Sequence, residues 1–145
     1  MSYQRSNIHT VSRLTVHIVW STKFRYKVLT GEIQKRSRML LIQICDAEDI
    51  EILKGVVSKD DVHMHINYRP KQSISDIVKK LKGRSSRKLQ EEFSELKKRY
   101  WGQHFWAIGY GCWSTGNITD EMVNEYLEHH RKPSGNNDEN FILEE

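Results

Sequence analysis

The stretch Asp60-Asp61-Val62-His63-Met64-His65-Ile66 alternates polar and apolar residues with a period of two. That period belongs to a β-strand, whose successive side chains leave on opposite faces. Asp61, His63 and His65 therefore share one face, and Val62, Met64 and Ile66 share the other. Ile50 to Val57 immediately upstream also reads as a strand, and Ser58-Lys59-Asp60 reads as the turn between them. Two such strands joined by a short turn predict an antiparallel hairpin, which Pro70 ends. A fold built on this hairpin needs an apolar layer against one face. The other face carries a row of imidazole and carboxylate groups, read either as polar groups turned to water or as metal ligands.

The rest of the chain supplies the layer. Leu14 to Thr22 is β-branched and alternating, a first strand that carries His17. Thr30-Gly31-Glu32 opens an amphipathic helix from Glu32 to Glu48, with Ile33, Leu40, Ile44 and Ala47 at helical spacing. A second helix starts at Ser73 or Ser75, with Ile74, Ile77, Val78 and Leu81 on one face. Gly83 interrupts it, and Leu89, Phe93 and Leu96 resume the pattern. Phe105 to Ser114 is aromatic and strand-like. Thr119 is placed as an N-cap, with Asp120 and Glu121 in the first turn of a last helix ending near His130. The order β-α-β-β-α-β-α predicts an α+β fold, a ferredoxin-like or RRM-like antiparallel sheet with helices on one face. Residues 1–132 form one domain, and 133–145 an acidic, flexible tail.

Composition narrows the function classes. The 145 residues carry 23 Lys or Arg against 19 Asp or Glu, a net charge of +4 that makes a polyanion partner plausible. Lys79 to Arg99 concentrates the positive charge. No apolar run approaches the length of a membrane span, and the N-terminus has no apolar signal region. Cys45 and Cys112 stand far apart and form no metal-binding or disulfide motif, so reduced thiols of a cytoplasmic protein are expected.

Met122, Tyr126 and His130 recur every four residues on the last helix. Neighbours four apart lie roughly 5–6 Å from each other at Cβ, so Tyr126 and His130 can reach one site. A core tyrosine and a helix-end histidine are the plainer alternative. A histidine row, a carboxylate and a tyrosine together suit phosphoryl transfer to a phenol. A phenol is a weak nucleophile at neutral pH, and a divalent metal stabilises the charge that develops on the phosphate. Imidazoles with a carboxylate suit Mn²⁺, and Mg²⁺ less naturally. Zinc lacks a third His or Cys at finger-like spacing.

Several segments together resemble a known family. They are Val16-His17-Ile18-Val19-Trp20-Ser21-Thr22-Lys23-Phe24-Arg25, Val56-Val57-Ser58-Lys59-Asp60, and Lys82-Gly83-Arg84-Ser85-Ser86-Arg87-Lys88-Leu89 with Glu92-Phe93. Further along come Tyr100-Trp101-Gly102-Gln103-His104-Phe105-Trp106, Gly109-Tyr110 and Tyr126-Leu127-Glu128-His129-His130. From about residue 10 to 132 the chain resembles the short single-tyrosine transposases of small bacterial insertion sequences (the IS200 type), members of the HUH nuclease superfamily. The resemblance implies that Tyr126 attacks single-stranded DNA at the element's end, leaving a 5′-phosphotyrosine and a free 3′-OH. It implies binding to DNA hairpins near those ends, and a homodimer whose active sites are shared between subunits. His130 falls where the family places a third metal ligand.

The chain departs from the family at the histidine motif, which is usually Lys-Asp-His-hydrophobic-His. Without gaps, Asp61 takes the first histidine position and His63 the second, while His65 stands at a usually apolar position. Two Mg²⁺ or Mn²⁺ sites are open, Asp61 with His63 or His63 with His65. Gly111 to Asn117 also differs from the family's Phe-x-x-Thr-Val-Gly. These departures keep a second function in view, a catalytically impaired hairpin-binding protein on the same scaffold. Lys79, Lys82, Arg84, Ser85, Ser86, Arg87 and Lys88 are the expected DNA contacts, with a solvated helix face as the alternative. Trp101, Trp106 and Trp113 are expected in the core, with base stacking the alternative for a single-stranded ligand. A ferredoxin-like RNA-binding domain is the rival from another class, but no RNP-like aromatic run is present.

Overall fold

In the computed structural model, residues 5–6, 11–101, 103–114 and 137–144 are described. The strands are β1 (Arg5–Ser6), β2 (Val11–Ser12), β3 (Leu14–Ser21), β4 (Glu51–Val57), β5 (Asp61–Tyr68), β6 (Gly111–Ser114) and β7 (Phe141–Leu143). The helices are α1 (Gly31–Ala47), α2 (Ile74–Glu92), α3 (Ser94–Arg99) and the short α4 (Asn137–Asn140), with a 3₁₀ turn at Lys23–Arg25. β1 and β2 form a small separate ribbon. The main sheet has the order β6-β3-β5-β4-β7. Its first four strands are antiparallel to their neighbours, and β7 joins β4 in parallel. This is the predicted ferredoxin-like arrangement with one added edge strand. The helix expected to carry Tyr126 falls outside the described residues.

The alternation read in the sequence separates the two faces of the sheet. Val16, Ile18 and Trp20 of β3 and Val62, Met64 and Ile66 of β5 are buried together with Leu40, Leu41 and Ile44 of α1 and Ile77, Leu81 and Leu89 of α2. Ser73 caps α2 by accepting from the Asp76 N–H at 3.2 Å. The helix continues through Gly83 rather than breaking there. A helical glycine costs about 1 kcal/mol relative to alanine. Burial of Leu81 and Leu89 on either side offsets it, as do two hydrogen bonds from the Lys82 ammonium to the carbonyls of Ala107 and Gly109.

The strand expected from Phe105 shortens to Gly111–Ser114. Phe105 and Trp106 are consecutive yet both buried, which a two-faced strand with one solvated side cannot arrange. Their rings meet edge to face at 4.6 Å, and Trp106 makes only an isolated bridge to Thr22.

The acidic stretch expected to be a flexible tail contains α4 and β7. The Asn137 side chain accepts from the Ile52 N–H at 2.6 Å and donates to the Ile50 carbonyl at 3.2 Å. Gln34 of α1 donates to the carbonyls of both Val57 and Glu144 at 2.8 Å, and Arg38 donates to that of Phe141 at 2.6 Å. Phe141 is buried directly over Gly55, where a Cβ would come within 2.5 Å of its ring. The absent side chain at 55 is thus what lets β7 close on β4.

Gly55→Ala is expected to destabilise the fold by about 1–3 kcal/mol through overpacking. Combined with Phe141→Ala, it should cost less than the sum of the two single changes. Urea denaturation of the four proteins tests this, and strictly additive losses would contradict the contact.

Candidate active site

β3 and β5 pair in the register His17↔His65, Val19↔His63 and Ser21↔Asp61. All three residues singled out on the histidine strand therefore stand on the sheet face opposite the helices, joined by His17. β6 adds Trp113 beside His17. The rings of Trp113, His17 and His65 stack across three strands, with centroids 5.6 and 4.1 Å apart and planes within 10°. His63 lies tilted against His17 at 5.6 Å and against Trp113 at 5.9 Å.

The three histidines differ in availability. His65 is only 3% exposed and His17 8%. Burial, reinforced by the neighbouring imidazoles, drives the His65 pKa down to about 3. Burial and the nearby His63 bring His17 to about 4. His63 is exposed, and its pKa is also lowered, by partial burial and by Lys54 against the opposing pull of Asp61. All three rings are therefore neutral at pH 7, the form that binds metal. His63 alone combines neutrality with exposure.

Asp61 is half-buried, and its carboxylate lies 3.5 Å from the Arg25 guanidinium, which also meets Asp60 at 3.3 Å. One carboxylate and one neutral imidazole on a shared face suit a hard or borderline divalent ion, so the residues present fit the implied metal. Among the described residues no group of three ligands forms. Tyr126 and His130 lie outside them.

The basic segment is sorted by the fold. Ser85 is fully buried; its hydroxyl donates to the Leu81 carbonyl at 2.5 Å and accepts from the Trp106 indole at 2.9 Å. It is a packing residue, out of reach of DNA. Arg84 pairs with Glu48 at 3.1 Å, and Lys88 approaches Glu91 at 3.9 Å. Lys79 and Arg87 are exposed, with no partner among the described residues. Lys82, Ser86 and Arg87 line a groove of about 710 Å³ between α2 and residues 103–109, with Gln90, Gln103 and His104. This open basic groove can take a phosphate backbone. Trp106 is core as expected, but Trp101 is 88% exposed and Trp113 is exposed at the sheet edge.

A family model described as "Transposase IS200 like" matches residues 10–130, and the chain belongs to that family. That family comprises DNA transposases. The chain is 31% identical over 118 residues to the ISDra2 transposase TnpA of Deinococcus radiodurans, spanning 81% of this chain and 84% of that protein. It is 32% identical over 129 residues to the transposase for insertion sequence element IS200 of Salmonella typhimurium, spanning 89% and 84%. A crystal structure described as a transposase from Deinococcus radiodurans superimposes with a TM-score of 0.72 at 30% identity, covering 86% of this chain and 96% of that one. A REP-associated tyrosine transposase bound to a REP hairpin matches with a TM-score of 0.57 at 14% identity, over 89% and 68%, a likeness of fold alone. No helix among the described residues is long and apolar enough to cross a membrane.

The depressed histidines make stability fall in acid. The unfolded chain takes up protons below about pH 6.5, whereas folded His17 and His65 resist until about pH 4 and 3. Stability is therefore full above pH 6.5 and is lost as pH falls toward 3. His17→Phe keeps a stacking ring without a titrating group. Urea midpoints measured at pH 7 and pH 4.5 should show a smaller acid loss in this variant, with a difference on the order of 1–3 kcal/mol. Equal losses would contradict the assignment.

Proposed function

We propose that this protein cuts and rejoins single-stranded DNA at insertion-sequence ends through a 5′-phosphotyrosine on Tyr126. The Tyr126 oxygen attacks the scissile phosphorus, the bond to the 3′ oxygen breaks, and the 3′ oxygen leaves as a hydroxyl. That 3′-OH later attacks a phosphotyrosine in turn, so the phosphodiester is remade without water or ATP. The observation that carries this reading is the placement of Asp61 and exposed His63 side by side on the open face of a family-matched sheet.

Asp61 and His63, with His130 as a third ligand, would hold Mg²⁺ or Mn²⁺. When bound, the ion neutralises charge on the scissile phosphate. The buried His65 instead buttresses the site by stacking under His17. Arg25 holds Asp61 in place from the side. The α2 groove takes the hairpin backbone through Lys82 and Arg87, with Lys79 beyond it. The protein works as a homodimer, the tyrosine helix of one subunit completing the other's site.

A second reading, a hairpin-binding protein that no longer cuts, is favoured by one observation. The carboxylate at the family's first histidine position is engaged by Arg25. Incubation with Mn²⁺ and labelled single-stranded element ends separates the two. The first reading expects a denaturant-stable protein–DNA adduct that disappears in Tyr126→Phe while hairpin binding persists. Tight hairpin binding with no adduct under any metal would support the second.

A further inference from the structure

We propose that Phe24, Tyr26 and Trp101 form a stacking platform for unpaired bases of single-stranded DNA running onto the Asp61–His63 face. This rests on the transposase reading for the identity of the polymer. The platform itself rests on the geometry of two bends.

The first bend is the 3₁₀ turn at Lys23–Arg25. Phe24 has φ 62° and Arg25 φ 52°, left-handed backbone that non-glycine residues rarely adopt and that is strained. Hydrogen bonds hold the turn. The Thr22 N–H donates to the Asp60 carbonyl, the Lys23 N–H to that of Phe105 and the Arg25 N–H to that of Thr22, each at 2.9 Å. The Thr22 hydroxyl donates to the Tyr26 carbonyl at 2.7 Å. The result is a phenyl ring 69% exposed. The second bend follows α3, where Trp101 has φ 56° and presents its indole 88% exposed. Strained backbone that turns large aromatic rings outward works against burial, so packing among the described residues does not explain it.

Partly buried Tyr26 and core Tyr100, only 4% exposed, link the two exposed rings. Phe24 lies 5.5 Å from Tyr26, and Tyr26 lies 5.7 Å from Tyr100, the residue before Trp101. Cations sit on them: Arg99 is 4.2 Å from the Tyr26 ring centre and Lys23 is 5.2 Å from that of Phe24. Lys97 and Lys98 flank Trp101. Aromatic faces interleaved with basic side chains match bases interleaved with phosphates. Only unpaired bases can leave their own stack to use them. The path leads to the expected chemistry, because Arg25, between Phe24 and Tyr26 in sequence, bridges Asp60 and Asp61.

The test uses the full chain and three labelled probes: oligo(dT), a blunt DNA hairpin, and that hairpin with a single-stranded extension. Phe24→Ala and Trp101→Ala should each weaken oligo(dT) and the extended hairpin roughly tenfold, leaving the blunt hairpin unchanged. Trp101→Phe should recover most of the loss. Both rings are exposed, so thermal unfolding should not shift. Unchanged oligo(dT) affinity, or equal losses on all probes, would overturn the platform. A Phe24→Ala protein that turns from dimer to monomer in sedimentation would overturn it in favour of contact with a second copy. Wild-type protein that binds oligo(dT) but no hairpin would count against the hairpin reading and leave the platform standing.

Discussion

The pairing of β3 with β5 is the constraint on which the rest depends. In its observed register Val16, Ile18 and Trp20 meet Ile66, Met64 and Val62 on the helix side. His17, Val19 and Ser21 meet His65, His63 and Asp61 on the other. Each fully buried apolar side chain contributes about 1.5–3 kcal/mol, so the core side strongly prefers this register. A slip by one residue would turn every side chain to the wrong face. The same ladder that builds the core therefore aligns the carboxylate and imidazoles of the site.

The elements around this pair hold the strand ends. Thr22 and Asp60 join the end of β3 to the turn before β5, and Arg25 spans Asp60 and Asp61 from the following turn. At the far edge, α1 fastens the C-terminal strand through Gln34 and Arg38, while Asn137 satisfies the backbone of β4 where its register shifts after Ile52. The described chain beyond residue 136 is thus attached to the same sheet that carries the site.

The first strand, the histidine hairpin and α1 were legible in the sequence because alternation and helical spacing report burial directly. Two apolar segments misled for opposite reasons. Phe105 and Trp106 look strand-like but both turn inward, and Phe141 sits in an acidic stretch whose partner, Gly55, leaves no periodic signal. The face shared by Asp61, His63 and His65 followed from the period of two. What separates His63 from His65 is exposure, and that depends on the cross-strand stack with His17 and Trp113. Ser85 read as a phosphate contact because its neighbours are basic, yet its helical position faces Trp106. Trp101 read as core, with base stacking as the alternative, and Phe24 was not singled out, because left-handed backbone at a non-glycine residue has no sequence signature; a positively charged neighbour on either side of Phe24 was the only hint there.

The central claim is that Asp61 and His63, rather than His63 and His65, form the described half of the proposed metal site. Mn²⁺ binding followed by electron paramagnetic resonance measures it most directly, on the folded wild-type protein and on Asp61→Ala, His63→Ala and His65→Ala. The account predicts that binding is lost or greatly weakened in the first two variants and kept in the third. Binding that survives His63→Ala, or that disappears in a folded His65→Ala protein while persisting in Asp61→Ala, would contradict it.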